Sequence, residues 1–246
     1  MVGQKLWNAS LAARVRILIH SGILRRMAKL SIDPVLKQKC PRTSLGFLTA
    51  RVVTRDTPSA LLEEMKVRET EILHLPEPRA LLESPKILST RAGYKALGKD
   101  PSRYRGSAEA LLRRILSGKG FPQINSIVDI INLASVESRL PIGLYDLAQV
   151  KGDLVFRPGR AGETYKGIGK YDLNLEDLPV FSDEAGPHGS ATSDSERTMV
   201  TPATRNIAAI LVSFGGAEGL ESSGQRMNSL LQKYAEGQEI QFRVYW

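Results

Sequence analysis

A chain of 246 residues, 42% apolar and 24% charged, can bury a sizeable core and fits one large globular domain or two small ones. A single cysteine, Cys40, excludes an internal disulfide, and the scattered His20, His74 and His188 offer no spaced ligand set, so neither metal nor cofactor is expected. No apolar run approaches the roughly 20 residues of a membrane span, and a formal net charge of +8 favours polyanionic partners, nucleic acid first, in a reducing, cytoplasmic setting.

The positive charge is unevenly spread. Residues 1–32 hold no acid yet carry Lys5, Arg14, Arg16, Arg25, Arg26 and Lys29 among Leu, Ile and Val. Three readings stay open: an organellar targeting peptide, a basic helical arm, or upstream sequence translated ahead of a true start at Met27, the last two being favoured. Composition turns ordinary near residue 30. Residues 1–29 therefore read as an extension and 30–246 as the globular domain.

Residues 44–54 (SLGFLTARVVT) are apolar and β-rich, and 59–70 and 79–97 have helical spacing, separated by Pro76 and Pro78. Ala108, Leu111, Leu112, Ile115 and Leu116 recur at helical spacing behind Ser107 and before Gly118, which predicts the clearest helix of the chain. Basic residues surround it: Lys99, Arg103 and Arg105 ahead, Arg113 and Arg114 on it, Lys119 behind, with Tyr104 interleaved. This set reads equally as a phosphate-contacting surface for RNA and as a solvated helix face with a Glu109–Arg113 pair worth about 0.3–0.5 kcal/mol.

The next helix, 126–138, buries Ile127, Ile130, Ile131 and Ala134 and sets Asp129 and Asn132 one turn apart on its flank, as backbone caps or as pocket groups. Strands are predicted at 153–158, 164–168 and 178–181 and from Asn206 onward. A last helix follows at 220–234, and an alternating strand closes the chain at 240–246. Helices gathered early and strands late predict an α+β fold rather than a doubly wound sheet. Between them, residues 183–201 (DEAGPHGSATSDSERTMVT) crowd acids, His188, Arg197 and six hydroxyl side chains into what reads as a loop, suited either to a hydrogen-bonded surface turn or to recognition.

These residues carry a resemblance. VDxxN at Val128 to Asn132, the Pro141 to Asp146 turn, the Gly152–Asp153 strand start and TSDSERT from Thr192, in that order, resemble the B3/B4 domain of the phenylalanyl-tRNA synthetase beta subunit and its free-standing bacterial and archaeal counterparts. The resemblance covers most of residues 40–215. It implies a three-layer α+β domain with a small β-sandwich and flanking helices, and a pocket that hydrolyses an aminoacyl ester on tRNA. Asn132 and Asp129 match the family's helix Asn and Asp, and Asp146 matches the Asp of its turn.

Other positions depart from the family. Gly143 stands where the family has a turn histidine, residues 210–212 are aliphatic where it has a glutamate, and Ile131 replaces the threonine before the helix Asn. These changes argue against tyrosine-specific editing, because a site built to bond a substrate hydroxyl separates analogues by about 10⁴-fold and loses that without its polar group. The 183–201 segment is the candidate replacement. His188, Ser193 and Asp194 are weak catalytic candidates, since adjacent residues do not define a triad. Asp183, Asp194 and Arg197 are expected to form a charge network, Thr192, Ser193 and Ser195 to line or cap a pocket shared with Asp129, Asn132 and Asp146, and Asp183 or Asp194 to hold a substrate ammonium. Three functions follow: a free-standing editing deacylase for mischarged aminoacyl-tRNA, a non-catalytic tRNA or RNA binder, and a free amino-acid binding module.

Overall fold

The computed structural model describes residues 29–169 and 172–246; apart from Lys29, the expected N-terminal extension lies outside the described residues. After the short strand Leu30–Ile32 (β1), the Asp33 carboxylate accepts the backbone N–H groups of Val35 and Leu36 and starts the helix Pro34–Lys39 (α1), with Pro34 at the position where no N–H is missed. Ser44–Arg51 (β2) and Ser59–Leu73 (α2) follow. The helix expected over 79–97 is broken in two. Pro85 lacks an N–H and holds Ser84 extended at ψ 147°, so a 3-10 turn, Pro78–Glu83, precedes the helix Pro85–Leu97 (α3).

Ser107–Leu116 (α4) and Ser126–Ser138 (α5) fall where the apolar spacing puts them; Asn125 caps α5 by accepting from the N–H groups of Ile127 and Val128. Gly106, not Ser107, is the N-cap of α4, and the Ser107 hydroxyl instead accepts the Ile142 N–H at 3.2 Å. The expected turn after Pro141 is a strand, Ile142–Asp146 (β3). Leu154–Pro158 (β4), Thr164–Lys166 (β5), Asp172–Asn174 (β6), Pro179–Asp183 (β7), Gly186–Ser190 (β8), Asn206–Ser213 (β9), Leu220–Ala235 (α6) and Gln238–Tyr245 (β10) complete the order. Part of the expected 183–201 loop is therefore sheet: β7 and β8 form a hairpin across Glu184 and Ala185, and Glu196–Thr198 is a 3-10 turn.

One antiparallel sheet runs β10-β2-β9-β3, a second runs β1-β4-β7-β8 with only β1–β4 parallel, and β5 and β6 make a small ribbon. Strict alternation assigns the faces of the first sheet. Leu48, Ala50, Ile142, Leu144, Ile207, Ala209 and Leu211 pack with the helices, while Leu45, Phe47, Tyr145, Ala208, Ile210 and Val212 pack against Leu154, Phe156, Val180 and Phe181 of the second sheet. Helices, sheet and sheet thus form three layers of an α+β fold. Each fully buried Leu, Ile or Phe adds about 1.5–3 kcal/mol of transfer free energy, and Phe156 stacks on Phe181 at 4.5 Å between ring centroids in the sandwich interior. Among the described residues no helix is long and apolar enough to cross a membrane, and no His/Cys/Asp/Glu group is placed to hold a metal ion.

Candidate functional site between the sheet edges

β3 and β8 are terminal strands of the two sheets, and Asp194 ties them together. One carboxylate oxygen accepts the Leu144 N–H of β3 at 3.1 Å and the other accepts the Ser190 N–H of β8 at 3.3 Å. A tight turn presents it. The Ser190 hydroxyl donates to the Ser193 carbonyl at 2.8 Å and accepts the N–H groups of Thr192 and Ser193. Tyr94 shares a 2.7 Å hydroxyl contact with Thr192, and Tyr165 donates to the Ser193 carbonyl.

Among the described residues no cation pairs with Asp194. Burial pushes its carboxyl up to about 7, against the opposing pull of the Leu144 N–H, the nearby Tyr145 hydroxyl and the Ser190 N–H. Burial also raises the hydroxyls of Tyr94, Tyr145 and Tyr165, and the nearby Asp194 charge raises them further. Three tyrosines and a turn rich in Ser and Thr thus converge on one carboxyl.

Tyr145 occupies the middle of this site. Its ring is wholly buried, edge-on to Phe181 and His188, and it fills the space beside two glycines. A Cβ at Gly143 would lie 2.1 Å from its hydroxyl oxygen and one at Gly189 would lie 2.3 Å from its ring, so neither position admits a side chain while Tyr145 stays. The hydroxyl is close enough to feel the Asp194 charge but meets no acceptor in hydrogen-bond geometry.

His188 is equally enclosed. Its Nδ1 contacts the Thr198 hydroxyl at 3.3 Å, its Nε2 has no partner, and burial lowers its pKa to about 4, so the ring is neutral. The Ser195 hydroxyl is likewise buried without a partner, while the Ser195 N–H donates to the His188 carbonyl at 2.9 Å. Among the described residues no hydrogen bond joins the His188 ring to the side chain of Ser193, Ser195 or Asp194, so the structure does not assemble a serine triad.

The expected charge network is smaller than its sequence version. Arg197 grips Asp183 through two parallel bonds of 2.9 and 3.0 Å, and Asp183 also accepts from Lys151 and Ala185, which leaves Asp194 outside the network. Burial alone would raise Asp183, but Arg197 and the Lys151 N–H outweigh it and hold the carboxyl below the usual range. Such a saturated carboxylate has no room for a substrate ammonium.

Three expected pocket residues stand apart. Asp129 accepts the Thr57 hydroxyl at 2.6 Å and the Ile124 N–H at 3.1 Å, fastening the start of α5 in the helical layer. Asn132 lies half-buried on the same helix. Asp146 accepts from Ala148 and from the Thr204 hydroxyl at 2.7 Å, closing the loop before β9. The tyrosines that complete the site escaped sequence reasoning. The period of two that puts Gly143 and Tyr145 on one face of β3 was the available signal.

The expected basic surface is only partly free. Glu109, buried on α4, binds Arg91 at 2.9 Å and Arg113 at 2.8 Å and stands 3.9 Å from Arg105, while Lys99 lies over the Tyr104 ring. Burial opposes ionisation of Glu109, yet the hydrogen bonds from Arg91 and Arg113 outweigh it and keep the carboxyl ionised. Arg103, Arg114 and Lys119 remain exposed.

With this geometry established, comparison with known proteins places the chain. A family model described as the B3/4 domain matches residues 89–227, more than half of the chain, including α4, α5, the Asp194 turn and the first half of α6. The chain belongs to the B3/4 domain family. The phenylalanine–tRNA ligase beta subunit of Paramagnetospirillum magneticum is 33% identical over 104 residues, 42% of this chain and 13% of that protein. The same subunit of Chromobacterium violaceum is 31% identical over 126 residues, 50% of this chain and 16% of its own length. This B3/4 domain thus spans a small part of the relatives it matches. Its fold also aligns with a solved N-terminal fragment of the phenylalanyl-tRNA synthetase beta subunit from Pyrococcus horikoshii, at 14% identity and a TM-score of 0.47, over 87% of this chain and 50% of that one.

Proposed function

We propose that this B3/4 domain is a tRNA-directed protein that hydrolyses the ester of mischarged aminoacyl-tRNA at the inter-sheet site around Asp194. One observation supports the reading: the half-buried Asp194 carboxyl bridges the β3 and β8 edges through the Leu144 and Ser190 N–H groups with no ion pair among the described residues, and desolvation pushes it up to about 7. An unpaired buried carboxyl weakens a fold, and such groups gather where chemistry uses them. A base titrating near neutrality removes the proton from an attacking water most effectively at working pH, which typically supplies 10²–10⁴-fold in rate.

In this reading the water sits against Asp194, and neighbouring hydroxyls of Tyr94, Thr192 and Ser193 orient the aminoacyl group. The ester is already activated, so positioned water and fixed donors suffice without a protein nucleophile. Tyr145 must turn from the space between Gly143 and Gly189 for a ligand to enter.

That plug favours a second reading, a tRNA binder without hydrolysis. A panel of correctly and incorrectly charged tRNAs separates the two. Release of amino acid above the spontaneous rate, lost in Asp194→Ala, supports the hydrolase. Salt-sensitive tRNA binding without release from any pair transfers the assignment to the second reading, and thermal shifts with free amino acids but no RNA effect point to an amino-acid module.

A further inference from the structure

A second group of cations shares no residue with the Asp194 site or the basic helix α4. The loop from β9 into α6 reads SFGGAEG, residues 213–219; the Arg42 and Lys86 side chains lie against it, and Arg139 is near Lys86. Lys86, in the first turn of α3, places its Nζ 2.9 Å from where a Cβ of Gly219 would stand. Arg42, between α1 and β2, lies over Gly216 with a guanidinium nitrogen 3.4 Å from the corresponding Cβ position. Arg139, which ends α5, is close enough to Lys86 to repel its charge.

These cations are poorly compensated. Among the described residues none of the three makes an ion pair within 4 Å; Glu218 is the carboxylate whose charge reaches Lys86. Burial removes water from the Lys86 ammonium, and Arg139 adds repulsion, so its charged form is disfavoured. The contrast with α4 is instructive, since there Glu109 draws in Arg91, Arg113 and Arg105 and consumes their charge internally. Arg139 adds a backbone cost as well, holding a left-handed conformation at φ 58° where glycine is usual.

Glycine at 219 matters for space. Any side chain there would push Lys86 away from the loop, so the absence of a Cβ lets the ammonium lie against the main chain. The result is two cations, Arg42 and Lys86, over a glycine loop with Arg139 near them, none in an ion pair among the described residues, and with arginine forks suited to phosphate oxygens.

We infer that Arg42 and Lys86 against the Gly215–Gly219 loop, with Arg139 near Lys86, form a binding site for a phosphate group, supplied by the backbone of an RNA. This assignment rests on the proposed tRNA-directed function for the source of the phosphate, not for the anion site itself.

The test uses the full chain and two probes, bulk uncharged tRNA over a series of salt concentrations and inorganic phosphate followed by the amide NMR signals of Gly216 and Gly219. Lys86→Gln and Arg139→Gly remove two cations, and the glycine also relieves the left-handed backbone, so the double variant keeps a folded reference. Expected is a several-fold loss of tRNA affinity at moderate salt and a shallower log–log salt slope, by about 0.7–0.9 per contact removed. Lys151→Gln, at a distant exposed position, leaves both unchanged, and Glu218→Gln tightens binding. Wild-type tRNA affinity and slope in the double variant would overturn the assignment. If the unaltered chain binds no tRNA while phosphate still shifts Gly216 and Gly219 in a Lys86-dependent way, the anion site stands and the tRNA reading fails. Binding of neither probe removes the site.

Discussion

Asp194 is half-buried and His188 fully buried, and desolvation shifts them to opposite stabilising directions with pH. The Asp194 carboxyl, raised from 3.8 to about 7, favours the protonated form when folded, so its contribution is full below pH 3.8 and is lost as pH rises through about 7. His188, lowered from 6.5 to about 4, favours the neutral form, so its contribution is present above pH 6.5 and is lost as pH falls through about 4. Asp194→Asn removes only the first. The thermal midpoint of the wild type relative to this variant is expected to fall steadily from pH 4 to pH 7 and level off above; a relative rise over that range would mean the native carboxyl is ionised and paired. Tyr145 gives a second residue-scale prediction. Tyr145→Phe deletes a buried hydroxyl without a partner and is expected to leave urea stability unchanged or raise it by up to about 1 kcal/mol. Gly143→Ala drives a methyl into that tyrosine and is expected to cost about 1–3 kcal/mol, less in the Tyr145→Phe background, where the closest contact is gone.

Among the elements, α4 shows how a basic helix spends its charge. Glu109 holds Arg91 and Arg113 directly and lies within reach of Arg105, so Glu109→Gln strands several guanidinium groups around a buried amide. Breaking a buried pair from one side costs about 3–5 kcal/mol, reduced here because the arginines reach solvent, and chemical denaturation should register a loss of roughly 2 kcal/mol or more. The helix itself was legible from its apolar spacing behind Ser107 and before Gly118, although Gly106 is the residue that caps it. The 79–97 segment was legible as helix but not as two pieces, because its apolar period continues across Pro85 while the missing N–H breaks the backbone. β8 was not legible at all. GPHGS has little intrinsic strand preference, and it is extended because β7 supplies the partner and because Gly189 lets Tyr145 approach. A pattern confined to the segment holds neither fact.

The whole molecule was readable to the level of its layers. Helices early and strands late gave α+β, and the near-continuous apolar runs of β2 and β9 are those of strands covered on both faces. What joins the layers was not readable, since the Asp194 bonds to Leu144 and Ser190 cross 50 residues of chain in one case and four in the other. The seven residues from Thr192 to Thr198 divide accordingly: Asp194 reaches the β3 edge, Arg197 turns to Asp183, and Ser195 is buried with neither. Charge follows the same rule. The +8 total states a preference for anions, but only packing decides that Arg113 is bound internally and Lys86 is not.

The most direct test is the pH dependence of ester hydrolysis on a mischarged tRNA, measured for the wild type and Asp194→Asn from pH 5.5 to 8.5 and corrected for spontaneous release. If Asp194 is the base, wild-type kcat/KM rises with pH, bends near 7 where the carboxyl ionises, and then stays level, while Asp194→Asn falls at least tenfold and loses the bend. Equal rates and equal profiles for the two proteins would contradict a catalytic Asp194 and return the buried carboxyl to a purely structural link between sheet edges.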